Sequence, residues 1–169
     1  MKHNIKAKQN NSKNCFVCGL SNDFGLKTKF YETENDEIVA LFTPELRHQS
    51  YPGITHGGIS AAILDETIGR AIMARYDEQV WGVTVDLRIR YRKPVPYDVE
   101  LKAVGRISEE RGPFFEGSGE ILLPNGDVAV SCTGKYMKRN ISDIASDAFS
   151  DEEWFPVEDE TAVRELDLP

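Results

Sequence analysis

The chain has 169 residues, of which 40% are hydrophobic and 28% are charged, and its formal net charge is −8. This length and composition fit one domain with a substantial core. The negative charge disfavours nucleic-acid binding, which needs a basic surface, and no apolar run is long enough to cross a bilayer. Because the N-terminus lacks an apolar signal segment and only three cysteines are present, we expect a cytoplasmic protein.

The first part of the chain is polar. Residues 1–14 are basic and without periodicity, which predicts a flexible N-terminal arm. Cys15 and Cys18 follow with the spacing of zinc and redox motifs, but a structural zinc site normally has four ligands and no second cysteine pair exists. We therefore predict no metal and expect both thiols to pack in a turn, with a metal or redox role as the alternative.

Six segments have the pattern of strands. Most show alternating apolar and polar residues, whereas 37–43 is apolar on both faces and is expected to be covered on both sides. Asn125-Gly126 is a strong hairpin signal between the last two. In the clearest strand, apolar residues occupy the odd positions, so the pattern alone would make Thr84 a surface residue. The predicted strands are 26–32, 37–43, 83–91, 99–107, 114–122 and 128–137.

Residues 55–74 predict one long buried helix, because 59–72 are mostly apolar or small on every face. Two glycines at its start allow close approach to unpaired helix N–H groups, which favour developing negative charge. Asp65 has only uncharged helix neighbours, so we expect a desolvated, functional carboxylate, the alternative being an acid satisfied by backbone or hydroxyl groups. Glu66 can pair with Arg70, which predicts a solvated or peripheral ion pair.

The element order indicates an α+β architecture. Two strands, a long helix and four strands predict an antiparallel sheet that wraps the helix, in a domain spanning residues 15–139. Residues 140–169 form an acidic tail. Its cluster Trp154-Phe155-Pro156 either docks on the domain or leaves the tail mobile.

Several motifs together resemble a known family. They are His56-Gly57-Gly58, an acid nine residues after that histidine, and Thr84-Val85-Asp86-Leu87 running into Tyr91-Arg92-Lys93-Pro94. This set resembles the hotdog-fold acyl-CoA thioesterases, in particular the phenylacetyl-CoA-thioesterase-like branch, over residues 15–138. The resemblance implies a hotdog fold, with an antiparallel sheet of about five to six strands around one long central helix. It also implies a homodimer or homotetramer with active sites between two chains.

The resemblance further implies hydrolysis of an acyl-CoA thioester without a separate cofactor, because coenzyme A is part of the substrate. Asp65 would act from the second chain as a general base or as the nucleophile, and Thr84 would hold the attacking water. The backbone N–H of Gly58 would polarise the carbonyl, with Gly57 giving clearance. His56 would orient the loop or donate to the carbonyl; alternatively it is only a helix cap.

Substrate-binding candidates flank this centre. Ser50 stands where some relatives carry an asparagine that contacts the thioester, so this chain departs from the family pattern there. The phosphates of coenzyme A need cations, which Arg90, Arg92, Lys93 and Arg111 could supply, unless these are solvated strand ends.

Two alternative functions use the same fold. A hydratase or dehydratase would need a catalytic histidine in the helix or strands, and His48 and His56 both lie outside them. A non-catalytic acyl-CoA-binding or sensing protein would not require Asp65. We therefore expect an acyl-CoA thioesterase.

Overall fold

One α-helix lies against a large antiparallel sheet in the computed structural model, which describes residues 1–76, 78–145, 149–158 and 163–168. The helix α1 spans Gly57–Gly69 and continues as a 3₁₀-helix over Arg70–Arg75. This confirms the expected α+β arrangement with one central helix. None of the helices in the described ranges reaches the length and apolarity that crossing a bilayer requires.

Ten strands are present in the described residues, and eight of them form the main sheet in the order β10-β1-β3-β4-β6-β7-β8-β5. The other two, β2 and β9, pair with each other. A short helix α2 covers Ile141–Ala145. The strands are β1 (Lys2–Lys8), β2 (Asn11–Ser12), β3 (Lys29–Thr33), β4 (Ile38–Phe42), β5 (Trp81–Tyr91), β6 (Leu101–Arg111), β7 (Phe114–Leu122), β8 (Val128–Arg139), β9 (Trp154–Phe155) and β10 (Glu165–Asp167).

The chain ends differ from the sequence-based expectation. All six predicted strands exist, as β3 to β8, but β1 and β10 enlarge the sheet beyond the five to six strands implied by the resemblance. The N-terminal residues predicted as a flexible arm include β1, which pairs with β3 on one side and β10 on the other. The tail docks through Trp154 and Phe155, which pair with Ser12 and Asn11.

Glycines in the sheet let α1 lie unusually close. Gly105 and Gly119 are directly paired across β6 and β7. A Cβ atom at Gly105 would lie 2.8 Å from the Thr67 carbonyl oxygen, and one at Gly117 would lie 2.4 Å from a methyl carbon of Ile68. Any side chain there would push the helix off the sheet, so these glycines set the depth at which α1 is held.

The sheet leaves one side of α1 partly open. Ile63, Leu64 and Ile68 are fully buried against the strands, whereas Asp65 and Glu66 are only half-buried. The expectation of a helix buried on every face is therefore wrong for one stripe. This stripe includes the two acids on which the sequence analysis focused.

Candidate active site

Asp65 and Thr84 form a hydrogen-bonded pair between α1 and the edge strand β5. The Thr84 hydroxyl donates to Asp65 Oδ1 at 2.8 Å, so each side chain restricts the rotamer of the other. Asp65 is half-buried and Thr84 is exposed, and both line the same cavity. The carboxylate is thus fixed in direction while one side of the pair stays accessible.

A β-bulge explains why Thr84 faces the helix. The register of β5 against β8 shifts between Thr84 and Asp86, and Thr84 lies opposite the buried Tyr136. Because Val85 is the extra residue, the alternation reverses there, and the even position 84 faces inward. Simple alternation therefore assigned Thr84 to the wrong face of β5, although its side chain is exposed as that pattern predicted.

Two uncharged side chains, Tyr136 and Cys132, lie near Asp65. The Tyr136 hydroxyl donates to the Asp65 carbonyl oxygen at 3.1 Å, and its ring stacks on Phe115 with centroids 4.9 Å apart. Burial, and then the negative charge of Asp65, raises the pKa of Tyr136 well above its usual range. The same two causes raise the pKa of Cys132 to about 12. Tyr136 and Cys132 therefore stay protonated at neutral pH and add no charge beside Asp65.

The start of α1 is capped by His56. Its Nδ1 accepts a hydrogen bond from the Gly58 N–H at 2.9 Å, so the group expected to polarise a carbonyl already has a partner. The Gly57 carbonyl oxygen accepts from the Tyr91 hydroxyl at 2.8 Å. Tyr91 is 55% exposed, and its ring covers the first turn of the helix at Gly57.

His48 holds the loop that precedes α1. Its Nδ1 accepts from the Glu45 N–H at 2.9 Å, and its Nε2 lies 2.8 Å from the Phe24 carbonyl oxygen. Both ring nitrogens of this buried side chain are therefore occupied. The histidine acts as a structural residue, which agrees with its position outside the helix and strands.

Four of the substrate-binding candidates line one surface cavity of about 380 Å³ beside the first turn of α1. Lys93 is paired with Asp127 at 2.6 Å, while Arg92 is exposed beside it. The cavity thus combines a helix N-terminus with positive charge. The four residues are Ser50, Gly57, Arg92 and Lys93.

Arg90 and Arg111 lie elsewhere in the same chain. Arg90 pairs with Ser131 in the sheet and faces opposite to Tyr91, away from α1. Arg111 pairs with Glu109 at 2.6 Å, at the β6–β7 end of the sheet. Tyr91 lies opposite Val130 of β8, and the β6–β7 turn lies beside Met137 of the same strand. These two positions on β8 are seven residues apart, or about 23 Å. One chain therefore does not bring these two arginines to the cavity.

Cys15, Cys18 and Glu66 form a compact polar cluster, with their ligand atoms all within 4.8 Å of one another. The hydrogen bond with Cys18 lowers the pKa of Cys15, against the effect of burial, while that bond and burial raise the pKa of Cys18. One Glu66 oxygen lies 3.3 Å from Cys15 Sγ and the other binds Arg70 at 2.7 Å. Since the buried Arg70 guanidinium already balances Glu66, the cluster is a poor host for a cation.

The Glu66–Arg70 pair is not a solvated ion pair. The Arg70 side chain is only 4% exposed, and its guanidinium lies 4.0 Å from the centroid of the Phe30 ring. Burial opposes the charge, but the Glu66 carboxylate outweighs it and holds the pKa of Arg70 above its ordinary value. The pair is an internal contact between α1 and the N-terminal segment.

The cavity at Asp65 and Thr84 has a volume of about 470 Å³ and extends along the second half of α1 to Met73 and Trp81. Sequence reasoning missed Trp81, which precedes the region of clear alternation. It also assigned no function to the tail aromatics Phe149 and Trp154, which line the same cavity. The apolar cluster in an otherwise acidic tail was the signal that pointed to them.

The chain is similar to known thioesterases in sequence and in fold. Residues 52–129 match the family model described as Thioesterase superfamily. The chain is 35% identical over 92 residues to "Acyl-coenzyme A thioesterase THEM4" of Rattus norvegicus, over 54% of this chain and 38% of the relative. The chain therefore spans well under half the length of this curated relative.

Two solved structures share the fold. A crystal structure of a thioesterase superfamily protein superposes with a TM-score of 0.68 at 26% identity, covering 74% of this chain and 63% of that one. A hypothetical thioesterase with coenzyme A from Streptococcus pneumoniae gives a TM-score of 0.57 at 19% identity, covering 62% and 82%. Residues 52–129 thus match the thioesterase superfamily in sequence, and the fold of the chain is that of solved thioesterase superfamily proteins.

Proposed function

We propose that this protein is an acyl-CoA thioesterase, which hydrolyses a thioester to a free carboxylic acid and coenzyme A. The observation that carries the proposal is the Asp65–Thr84 pair at 2.8 Å, at the mouth of a cavity with apolar walls. A fixed carboxylate beside an accessible hydroxyl suits activation of one water molecule. The apolar walls suit the acyl group that the water releases.

The reaction needs one water and one proton transfer. As a general base, Asp65 takes a proton from water while the water oxygen attacks the carbonyl carbon, and Thr84 holds that water. The tetrahedral intermediate then expels the CoA thiolate, which recovers the proton. In the other route the Asp65 carboxylate attacks first, forming an anhydride that water hydrolyses. Both routes use the same carboxylate.

We assign carbonyl polarisation to the start of α1. The Gly58 N–H donates to His56 Nδ1, so the imidazole must turn away before this N–H can bind a carbonyl oxygen. His56 is exposed, and the hydrogen bond that it gives up has a net value of about 1 kcal/mol. An oxyanion-type donor can lower the barrier by about 3–4 kcal/mol, so the exchange favours catalysis.

The helix geometry supports a site made by two copies. Gly58 and Asp65 are seven residues apart, which is about 10 Å along α1. A nucleophile must come within about 3.5 Å of the carbonyl carbon, so one chain cannot both polarise and attack the same thioester. A second α1, running the opposite way, would bring its Asp65 to the first helix's N-terminus. We therefore propose a homodimer.

The edge strand β5 is the proposed contact between the copies. It is eleven residues long and ends the sheet, and Val85 on it is 53% exposed. A long apolar edge strand is a ready site for pairing with another strand. Pairing of β5 with its copy would continue the sheet and bring the two α1 helices side by side.

The coenzyme A end of the substrate is assigned to the cavity beside Gly57, where Arg92 and Lys93 supply positive charge. Cations at this position would meet phosphate groups. The structural neighbour from Streptococcus pneumoniae that contains coenzyme A supports this class of ligand. The narrower phenylacetyl-CoA-thioesterase-like assignment remains a prediction.

The test is free-thiol release from a panel of short, medium, long and aromatic acyl-CoAs, with wild type and Asp65→Asn. Asparagine keeps an oxygen for the Thr84 hydrogen bond but removes the base, so kcat should fall about 100-fold or more with an unchanged melting temperature. Unchanged kcat in the variant would rule out Asp65. A chain that binds acyl-CoAs but hydrolyses none would be the non-catalytic alternative.

A further inference from the structure

The cavity that begins at Asp65 and Thr84 ends in a wall made largely by the C-terminal tail. Asp65 and Thr84 line it, the paired Glu66 and Arg70 follow along the helix, and Met73 and Trp81 line it farther on. Most of the remaining apolar lining comes from beyond residue 140. Those side chains are Ile141, Ile144, Ala145, Phe149 and Trp154.

Direct contacts hold this wall in place. The Trp154 indole N–H donates to Glu78 Oε2 at 2.8 Å, and its ring lies 4.7 Å from the guanidinium carbon of Arg70. The backbone of Trp154 pairs with Ser12 in the small β2–β9 sheet. Hydrogen bonding, a cation–π contact and strand pairing thus fix Trp154 independently.

Three aromatic rings close the wall. The centroids of Trp81 and Trp154 are 4.8 Å apart with an interplanar angle of 62°, and those of Trp81 and Phe149 are 5.3 Å apart at 82°. These edge-to-face contacts pack the rings against one another. A ligand therefore meets a fixed aromatic surface at this end of the cavity.

The helix gives the cavity its length. Asp65 and Met73 both line it. Four residues of α-helix lead from Asp65 to Gly69 and four of 3₁₀-helix lead on to Met73, which together span about 14 Å along the helical axis. An extended chain advances about 1.2 Å per bond, so this distance accommodates about twelve bonds of an unbranched acyl group before the aromatic wall.

We propose that Trp81, Phe149 and Trp154 measure the length of the acyl group and restrict the enzyme to apolar acyl groups of up to about twelve carbons. This inference rests on the proposed function, because it takes Asp65 as the point where the thioester is cleaved. The tail, which lies outside the matched residues 52–129, would thereby set the substrate range of this chain.

Binding of the carboxylic acid product tests the proposal without any turnover. The chain contains two tryptophans, Trp81 and Trp154, and both line the cavity. Intrinsic tryptophan fluorescence should therefore respond to unbranched saturated acids of four to sixteen carbons, at fixed pH. For wild type we expect affinity to rise about fourfold per methylene and to stop rising near about twelve carbons.

Trp154→Ala and Phe149→Ala each remove part of the wall. In each variant, the chain length at which affinity stops rising should increase by at least about two carbons. Trp81 remains as the fluorescent reporter in both. The matched control is Phe155→Ala, the neighbouring aromatic, which pairs with Asn11 but does not line the cavity. It should keep the wild-type length profile, and melting temperatures identify any variant that fails to fold.

The acyl-CoA panel separates this proposal from the function itself. If acids bind with the expected length profile but no acyl-CoA is hydrolysed, the proposed function fails and the acyl pocket stands. If acyl-CoAs are hydrolysed but the folded Trp154→Ala and Phe149→Ala proteins keep the wild-type length profile, the tail does not measure length. A Phe155→Ala profile shifted as far as theirs would also overturn the proposal.

Discussion

At the scale of single residues, Thr84 has two possible roles, and they differ in whether its hydroxyl is needed. Its hydroxyl donates to Asp65 at 2.8 Å, so it either positions the carboxylate and water or merely fills space beside α1. Only the first role depends on the oxygen. Removing the hydroxyl and restoring it in serine therefore separates them.

We expect Thr84→Ala to lower kcat about tenfold or more, because the carboxylate and its water lose a fixed partner. Thr84→Ser keeps the hydroxyl and should recover most of the rate. The measurement is steady-state hydrolysis of the best acyl-CoA. Equal rates for the alanine variant and wild type would make Thr84 a packing residue.

The second acid of α1 is a stability residue. Glu66 neutralises Arg70, whose side chain is 4% exposed, so Glu66→Gln leaves a buried cation without its countercharge. The free energy of unfolding should fall by about 2–4 kcal/mol, while kcat of the folded variant changes little. Denaturant unfolding at neutral pH measures the first quantity.

The matched control for that experiment is Glu45→Gln, which removes a carboxylate paired with Arg47 in solvent. Exposed pairs contribute about 0–1 kcal/mol, so its unfolding curve should nearly coincide with that of wild type. A collapse of kcat in folded Glu66→Gln would instead identify Glu66, rather than Asp65, as the catalytic acid.

At the scale of elements, the sequence predicted the β7–β8 hairpin and helix α1, because both are determined by residues close together in the chain. The alternation in β7 and β8 and the Asn125-Gly126 turn located a hairpin without reference to the rest of the chain. The helix was found for the same reason, as a continuous run of apolar and small residues. Its last two turns differ, because they form a 3₁₀-helix over Arg70–Arg75.

Features that depend on distant partners could not be found this way. β1 is a polar segment that becomes a strand because β3 and β10 flank it, and the second of these lies near the other end of the sequence. The inward direction of Thr84 depends on a bulge against β8. In both cases the decisive contact lies far away in sequence, where period-based reasoning has no information.

The junction of β5 with the start of α1 carries the prediction for coenzyme A. Arg92→Gln and Lys93→Gln should each raise KM about two- to fivefold at low salt, the range for exposed ion pairs, with little effect on kcat. The difference should shrink as ionic strength rises. Lys6→Gln, an equal charge change on the exposed surface of β1, is the control and should leave KM unchanged.

At the scale of the whole molecule, the 10 Å between the two functional ends of α1 predicts complementation between defective subunits. Gly58→Val adds bulk where the thioester carbonyl would approach the helix, while Asp65→Asn removes the base. Each homodimer should be nearly inactive. A mixed dimer contains one site with both defects and one site with neither.

Mixing the two variants should therefore restore up to about half of the wild-type activity per dimer, the share expected from one intact site of two. The measurement is thiol release after subunit exchange, with each variant alone as the control. If every site were contained in one chain, no mixture would recover activity, and the two-copy arrangement would be wrong.

The two ends of the sheet are unequal. β5 offers eleven residues with exposed valines, whereas β10 at the opposite end has three residues, two of which are the exposed acids Glu165 and Asp167. A three-residue edge strand offers few backbone groups for pairing, so the longer β5 is the favoured side for strand addition. In a dimer joined through both β5 strands, neither β5 edge would remain free to pair with a further molecule. Assembly would therefore end at the dimer and would not continue into a fibre.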